Sequence, residues 1–285
     1  MGFGGHRPRE YSFLVFLAVK LPKIQEETKT MHHTRRIHIL GVPIDDATED
    51  EAIARIATMI AAGGPHQVCT VNPEFVMAAQ SRPAFRRVLL AASMNTPDGF
   101  GLVLEARRRG TPFRSRVTGI GLAERLAAEA ARHGWSLFLL GAAPGVAESA
   151  AAALQARFPA LRIAGCHAGS PRPEDEATIR AMITAVQPDV LLVAYGHPNQ
   201  ELWIARNQPL LRVPVAIGVG GTFDYLAGVV VRAPAWMRAV GLEWLYRLIR
   251  QPGRWRRIVT AVPVFLWAAW RETLLHTGRS KRERR

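Results

Sequence analysis

The stretch LFLLGAAPGVAESAAAAL, residues 137–154, contains the unit from which the rest of the fold can be worked out. Its apolar first part has the length and composition of a buried strand, and the strand stops at Gly141. Pro144 and Gly145 then lead into an alanine-rich helix, whose first turn offers unpaired backbone N–H groups to an anion. The loop is neither a GxGxxG dinucleotide loop nor a GxxxxGK[ST] loop, so it permits a nucleotide without specifying one. This stretch predicts one strand–loop–helix unit of an α/β domain.

Apolar runs of strand length alternate with helical patterns on both sides of this unit. Several of the runs are apolar on both faces, as in a parallel sheet that is covered by helices. We therefore predict an α/β fold with a Rossmann-like, mainly parallel sheet flanked by helices and followed by a C-terminal helical appendage. The predicted strands are Ile37–Gly41, Gln67–Val71, Ala91–Asn95, Ser136–Leu140, Leu161–Gly165, Val190–Ala194 and Val215–Val219. The predicted helices are Glu49–Ala62, Gly121–Arg132, Val146–Phe158 and Glu174–Val186.

Changes of pattern divide the chain into four predicted parts. Residues 1–34 precede the first patterned strand and are interpreted as a disordered or mis-assigned N-terminal extension, because their short apolar stretch lacks the small-residue cleavage site of a signal peptide. Residues 35–231 carry the alternating pattern and are the predicted α/β catalytic domain. Residues 232–275 show only helical pattern and are interpreted as a membrane-associating appendage, and residues 276–285 as a basic tail.

Polar residues and glycines follow four of the predicted strands at the points where those strands end. Thr70 and Asn72 follow one strand, Asp98 a second, residues 196–200 a third and residues 218–224 a fourth. In an open parallel sheet, ligands bind at the carboxyl ends of the strands. A single ending of this kind usually caps a helix or makes a turn, whereas four together predict one shared pocket.

Positive charge is concentrated at the C-terminal end of the chain. The formal net charge is +14, and residues 252–285 contain nine basic against two acidic side chains. Five of the seven tryptophans also lie from residue 236 onward. Interleaved tryptophan and arginine is typical of proteins on an anionic membrane surface, where indole rings lie at the headgroup level and guanidinium groups meet lipid phosphate. The best apolar run there, residues 258–270, is shorter than the roughly 20 residues needed to span a bilayer, so we predict peripheral association.

Neither a metal ion nor an organic cofactor is predicted. The chain contains no HExxH and no DxD motif. Cys69 and Cys166 lie in apolar runs without CxxC spacing and are interpreted as thiols in a reducing compartment. Any charge on a leaving group would then have to be stabilised by arginines and backbone N–H groups.

Seven motifs occur in order over residues 36–257. They are TVNPE (70–74), NTPDGFG (95–101), RVTG (116–119), GAAPGVAE (141–148), GHPNQELW (196–203), GVGGTFDYLAG (218–228) and RAPAWMRAVGLEWLYRLIRQPGRWRR (232–257). Together they resemble the WecG/TagA/CpsF family of glycosyltransferases. The resemblance implies transfer of N-acetylmannosamine, its uronic acid or a glucose-type sugar from a UDP-sugar to a polyprenyl-diphosphate-linked saccharide. It also implies that the reaction inverts the anomeric carbon and needs no metal ion. The enzyme would act at the cytoplasmic face of the cell membrane, in teichoic acid or exopolysaccharide biosynthesis.

The same resemblance implies roles for individual residues. Asp98 would be the catalytic base, and Thr70 and Asn72 would line the donor pocket. The rest of the implied substrate-binding set is Arg116, Gly141, Gln200, Gly220, Arg232, Arg247, Arg254 and Arg257. The arginines from residue 232 onward would cover the pocket and meet diphosphate oxygens. The family usually has an acidic residue where this chain has Gly121, which leaves the identity of the transferred sugar open.

A nucleotide-binding Rossmann-type oxidoreductase is the alternative that an α/β pattern leaves open. Such an enzyme requires GxGxxG after the first strand and an acidic residue about 20 positions further on, and neither is found there. A nucleic-acid-binding protein would account for the charge, but the basic residues lie among tryptophans and aliphatic runs, so no nucleic-acid partner is predicted. The predicted partners are the UDP-sugar, the lipid-linked acceptor and an anionic membrane surface, and a homo-oligomer is left open.

Overall fold

The structure is a computed structural model that describes residues 35–239, 242–250 and 263–282 together with Gly253 and Trp255. The side chains of residues 238–239, 247 and 274–282 are outside this description. The predicted N-terminal extension, residues 1–34, and the candidate residues Arg254 and Arg257 therefore lie outside the described residues.

Strands and helices alternate along most of the described chain. The strands are β1 (Arg36–Ile39), β2 (Val42–Asp45), β3 (His66–Val71), β4 (Met94–Pro97), β5 (Ser136–Gly141), β6 (Arg162–His167), β7 (Val190–Ala194) and β8 (Val215–Gly218). The helices are α1 (Glu49–Ala62), α2 (Pro73–Ser81), α3 (Pro83–Ala91), α4 (Phe100–Arg108), α5 (Gly119–His133), α6 (Val146–Arg157), α7 (Pro173–Val186), α8 (Asn199–Leu211), α9 (Thr222–Leu226), α10 (Ala235–Ala239), α11 (Glu243–Arg250) and α12 (Phe265–Arg282).

A six-stranded sheet in the order β4-β3-β8-β7-β5-β6 forms the centre of the fold. Every neighbouring pair in it is parallel. This confirms the predicted Rossmann-like parallel sheet with flanking helices and a C-terminal helix. Because the strands are parallel, their carboxyl ends at Val71, Pro97, Ala194 and Gly218 lie at one edge of the sheet.

Hydrophobic side chains cover the sheet on both faces. Strands β5 and β7 are buried at every position. Leu137 and Leu139 of β5 pack in a cluster with α1, α5 and α6, whereas Phe138 and Leu140 pack in another with α7 and α8. Burial on both faces explains why these strands are continuously apolar in the sequence.

Two of the predicted strands are misplaced. The predicted strand Ile37–Gly41 is too long, because Leu40 and Gly41 adopt φ angles of 49° and 72° and turn the chain into β2, which pairs antiparallel with β1. The predicted strand Ala91–Asn95 begins too early, because α3 runs through Ala91 and β4 starts only at Met94. Helices α2, α3, α4 and α8 are additional to the predicted ones.

Helix α12 packs one face against the α/β domain. Phe265 and Ala269 are fully buried in the hydrophobic cluster that includes β1, β2, α2 and α4. Arg109, just after α4, donates from Nη2 to Glu272 Oε2 at 2.8 Å. Trp267 and Trp270 are 58% and 50% exposed. The helix thus completes part of the core and still exposes two tryptophans. Among the described helices, none has the length and apolar character needed to cross a membrane.

We expect Asp45→Asn to lower the free energy of unfolding by about 3 kcal/mol. The buried Asp45 carboxylate accepts the Asn95 N–H through Oδ2 at 2.7 Å, and its Oδ1 pairs with Arg36 at 2.9 Å and Arg55 at 3.4 Å. The two arginines remain partly exposed, so the loss is that of hydrogen bonds to a charged group, which contribute about 1.5–3 kcal/mol each. Urea unfolding followed by circular dichroism measures the change.

Asp50→Asn is the matched control, because the Asp50 side chain is 82% exposed and pairs with Arg125 at the surface. Its expected effect is below about 0.5 kcal/mol. Equal effects of the two substitutions would show that Asp45 does not anchor β1 and β2 to the sheet.

Candidate active site

A cavity of about 320 Å³ lies at the carboxyl edge of the sheet, where the polar strand ends meet. The predicted residues in its wall are Thr70, Asn72, Asp98, Gln200, Gly220 and Arg232. The wall also contains residues to which the sequence assigned no individual role, namely Glu74, Thr118, His197, Asp224 and Glu243. The shared pocket is thus present, and the role of each residue in it stays a prediction.

Asp98 lies in the turn between β4 and α4. Its backbone N–H donates to the Val71 carbonyl at 2.7 Å, and its Oδ2 accepts the N–H of Gly119 at 3.2 Å. Gly119 is the first residue of α5, so the carboxylate lies at the positive end of a helix dipole. Gly99 has a φ of 102°, and a Cβ there would lie 3.0 Å from Pro73 Cδ, so the turn requires glycine. These contacts fix the carboxylate in the wall of the pocket.

Thr70 and Asn72 hold the neighbouring elements in place. The Thr70 hydroxyl donates to the Gly218 carbonyl at 3.0 Å and links β3 to β8. Asn72 Oδ1 accepts the Phe75 N–H at 3.1 Å and caps α2. The amide nitrogen of Asn72 makes no hydrogen bond to any described residue, which leaves it available to a ligand in the pocket.

Gln200 connects two loops of the pocket wall. Its Oε1 accepts the N–H of Gly196, after β7, at 3.1 Å and the N–H of Gly220, after β8, at 3.0 Å. Both glycines have positive φ angles, 73° and 56°, which orient their N–H groups towards this oxygen. Gln200 is only 1% exposed. Its carbonyl oxygen therefore already has two protein partners in the structure.

Glu201, which the sequence pattern did not indicate, holds the other end of the Gln200 amide. Gln200 Nε2 donates to Glu201 Oε1 at 2.6 Å. Glu201 is fully buried, and burial raises the pKa of its carboxyl group to about 8. The only signal in the sequence was the motif GHPNQELW, in which a glutamate in the first turn of a helix normally indicates an exposed acid.

His197 forms part of the wall with two residues of α2. Its Nε2 lies 3.2 Å from Glu74 Oε2, and its ring stacks on Phe75 with the ring centroids 5.2 Å apart. The stacking and the carboxylate fix the orientation of the imidazole. A polar ring so oriented can donate a hydrogen bond to an oxygen of a bound ligand.

The predicted arginines occupy different positions around the pocket. Arg232 lines it, and its buried Nε makes no hydrogen bond to any described residue. Arg116 is not among the lining residues, and its Nη2 lies 3.9 Å from Oε2 of the lining residue Glu243. Arg247 is on α11, which begins at Glu243, but its side chain is outside the described residues, as are Arg254 and Arg257 altogether.

Two glycines that the sequence analysis singled out lie outside the pocket wall. Gly141 has a φ of 108°, and a Cβ there would lie 2.8 Å from the Ala194 carbonyl carbon, so glycine lets β5 and β7 end in close contact. Glu49 Oε1 lies 2.6 Å from the position that a Cβ at Gly121 would occupy. A carboxylate is therefore present at this point although residue 121 has no side chain.

Side chains of the types that bind metal ions do not cluster in the described part of the chain. No group of three or more histidine, cysteine, aspartate or glutamate residues there could hold a metal ion. Cys69 and Cys166 are both free thiols, and burial raises the pKa of each.

Comparison with known proteins gives consistent matches. Residues 37–279 match the WecG/TagA/CpsF family of glycosyl transferases. An N-acetylglucosaminyldiphosphoundecaprenol N-acetyl-beta-D-mannosaminyltransferase from Bacillus spizizenii is 36% identical over 201 residues, which are 70% of this chain and 77% of that protein. A protein of the same name from Staphylococcus aureus is 33% identical over 239 residues, which are 82% of this chain and 92% of that protein. Because the family match runs from β1 into α12, this chain belongs to the WecG/TagA/CpsF family and is a glycosyltransferase.

Proposed function

We propose that this glycosyltransferase moves N-acetylmannosamine from a UDP-sugar to an N-acetylglucosamine linked through diphosphate to a polyprenol, with inversion and without a metal ion. The relatives are named for N-acetyl-β-mannosaminyl transfer to N-acetylglucosaminyldiphosphoundecaprenol, and this supports N-acetylmannosamine over its uronic acid or a glucose-type sugar. The Staphylococcus aureus relative matches 82% of this chain and 92% of its own length. Nothing in the comparisons supports the oxidoreductase alternative.

The observation that carries the proposal is the position of Asp98. Its carboxylate lies in the wall of the pocket and is held there by the Gly119 N–H. A carboxylate in this position can accept a proton from a sugar hydroxyl. This is the chemistry that an inverting transfer needs from the protein.

The proposed reaction is a single displacement at the anomeric carbon. The acceptor hydroxyl oxygen attacks this carbon from the face opposite UDP, and its proton passes to Asp98. The bond between the anomeric carbon and the UDP oxygen breaks, and its electron pair stays on the diphosphate. The pocket must therefore place a base on one side of the sugar and hydrogen-bond donors on the other.

Arginine and backbone donors are proposed to stabilise the departing diphosphate. Arg232 brings a guanidinium group whose buried Nε has no partner among the described residues. Forked guanidinium groups can bind phosphate oxygens through two hydrogen bonds at once. We propose that Arg247, Arg254 and Arg257, which follow Arg232 in the sequence, complete this set when the lipid-linked acceptor is bound. Arg116 is proposed to act through Glu243, which it approaches.

We also propose that the protein works at the cytoplasmic face of the cell membrane as a peripheral protein. Trp267 and Trp270 are exposed on α12, and the guanidinium carbon of Arg271 lies 5.7 Å from the centroid of the Trp267 ring. Exposed indole rings beside arginines suit the headgroup region of an anionic bilayer. A polyprenol-linked acceptor would be held in that bilayer, so the arrangement brings enzyme and acceptor together.

The proposed donor and metal independence can be tested in one assay. Purified protein is incubated with a short-chain polyprenyl-diphosphate N-acetylglucosamine and a panel of UDP-sugars, each with excess EDTA or with magnesium. We expect transfer from UDP-N-acetylmannosamine at equal rates in both conditions. A strict requirement for magnesium or manganese would overturn the arginine account, and transfer of a different sugar would overturn the donor assignment.

Asp98→Asn should leave the protein folded and able to bind UDP, but lower the turnover number by roughly a hundredfold or more, as removal of a general base does. Asp224→Asn is the matched control, because Asp224 lies in the same wall. Its turnover should fall less than about tenfold. If Asp224→Asn has the larger effect, Asp98 is not the base.

We expect the double substitution Trp267→Ser and Trp270→Ser to weaken binding to vesicles containing phosphatidylglycerol, with little change in thermal unfolding. Both rings are largely exposed, so their loss removes contacts with lipid and not with the core. Leu210→Ser is the control, because Leu210 is 64% exposed but lies on α8. Equal vesicle binding by all three proteins would exclude α12 as the membrane contact.

A further inference from the structure

Glu201 is a buried acid with no cation beside it among the described residues. It is fully buried, and no arginine, lysine or histidine among the described residues pairs with it. Its Oε1 accepts a hydrogen bond from Gln200 Nε2, and its Oε2 is buried without a hydrogen-bond partner in the described structure. Moving an unpaired carboxylate into such a place is far more costly than moving the neutral acid.

We propose that Glu201 is a positioning residue that works as a neutral carboxylic acid: it fixes the Gln200 amide, and Gln200 fixes the two glycine loops in the wall of the pocket. The proposal rests on the proposed function in one respect, namely that sugar transfer takes place in this pocket. The state of Glu201 and its contacts do not depend on that assignment.

The hydrogen bonds dictate which way the Gln200 amide faces. An amide has one accepting oxygen and one donating nitrogen. Because Glu201 Oε1 accepts from Nε2, the oxygen must face the opposite way, where it meets the N–H groups of Gly196 and Gly220. Without an acceptor at residue 201 the amide is free to turn over, and both glycine N–H groups then face a donor. Glu201 therefore holds both glycine loops indirectly, through the Gln200 amide.

The end of β8 is shaped to accept this pair. A Cβ at Gly218 would collide with Glu201 Oε1 and with Gln200 Nε2. The Gly218 carbonyl in turn accepts the Thr70 hydroxyl. Ionisation of Glu201 would draw water into this close contact and displace the end of β8, from which the Gly220 loop continues.

Few titratable groups face Glu201. Cys69 on β3 is the titratable group that interacts with it. Burial, and to a lesser extent a negative charge on Glu201, raises the pKa of the Cys69 thiol. The contact from the side chain of Gln67, also on β3, is to the Glu201 backbone carbonyl, at 3.1 Å. β8 contributes Gly218, which has no charge. Burial raises the pKa of Glu201 to about 8, so both groups are neutral at pH 7.

The sign of the effect on stability follows from proton binding. The folded protein keeps the Glu201 proton up to about pH 8, whereas the unfolded chain loses it near the ordinary glutamate pKa of about 4.3. The folded state therefore binds more protons between these values, and the Glu201 contribution to stability falls as the pH rises through this interval. Glu201→Gln cannot ionise and should remove this part of the pH dependence.

The test compares wild type with Glu201→Gln and Glu201→Leu, using Glu129→Gln as the matched control on α5. Infrared difference spectra at pH 7 should show a protonated-carboxyl band in wild type and Glu129→Gln that Glu201→Gln lacks. Turnover of wild type should fall about tenfold between pH 7 and pH 9, as expected for a group with a pKa near 8. Glu201→Gln should keep wild-type turnover at pH 7 within about threefold and lose this fall. Glu201→Leu, which has no acceptor, should be about tenfold to a hundredfold slower at every pH because the pocket wall is misplaced.

Two results would overturn the proposal. One is an infrared spectrum in which Glu201→Gln removes no protonated-carboxyl band, because Glu201 is then ionised. The other is an unchanged alkaline fall in Glu201→Gln. If wild type transfers no sugar under any condition, the proposed function fails, while the infrared band and the pH dependence of unfolding still decide whether Glu201 is neutral.

Discussion

The structure depends on how the buried polar groups at the carboxyl edge of the sheet are satisfied. A parallel sheet brings the ends of its strands and the starts of the following helices to the same edge, and the N–H groups there need acceptors. In this protein, side chains supply several of them: Asp98 accepts from Gly119, and Gln200 accepts from two loop glycines. The same hydrogen bonds that stabilise the edge also set the shape of the pocket.

This dual use changes the meaning of several candidate residues. Thr70 and Gln200 are both buried and both bonded to backbone groups of neighbouring strand ends. Their position in the wall is compatible with substrate contact, yet the contacts that the structure does contain make them part of the scaffold. Asp98 differs, because it reaches the pocket from the turn between β4 and α4, and its carboxylate accepts the N–H of a helix N-terminus, which favours an anion. Preorganised polar groups of both kinds lower the cost of stabilising charge during the reaction.

The helices and strands that were predicted most accurately are those whose sequence pattern is determined by neighbouring residues. Helix α1 was predicted to the residue, because Thr48 and Glu51 form a capping box at its start and Gly63 ends it. The continuous apolar β7 was also predicted at its observed bounds, Val190–Ala194. By contrast, the predicted strand Ala91–Asn95 begins within an apolar segment that fits a strand and a buried helix equally well, and the structure continues the helix through Ala91.

The candidate site divides in the same way. The strand-end rule located the pocket and Asp98, because topology alone brings parallel strand ends together. Glu201 was not predictable, because its neutral state depends on complete burial between β3, β8 and α8, and burial is a property of the folded packing. The carboxylate of Glu49 at Gly121 depends likewise on the contact of α1 with α5. Local pattern therefore located the site, while tertiary packing determined which residues support it.

The packing of α12 links the exposed tryptophans to the turn that holds Asp98. Glu105 on α4 is fully buried and accepts hydrogen bonds from Arg108 and Arg109, and Arg109 also bonds Glu272 on α12. Helix α4 begins directly after Asp98 and Gly99 and has nine residues, or about 13 Å of helix. The position of the tryptophan face relative to Asp98 is thus set by these partly buried ion pairs and by Phe265 and Ala269 in the core. For an enzyme proposed to act on a sugar anchored in a bilayer, a rigid link of this kind would hold the pocket at a constant height above the membrane surface.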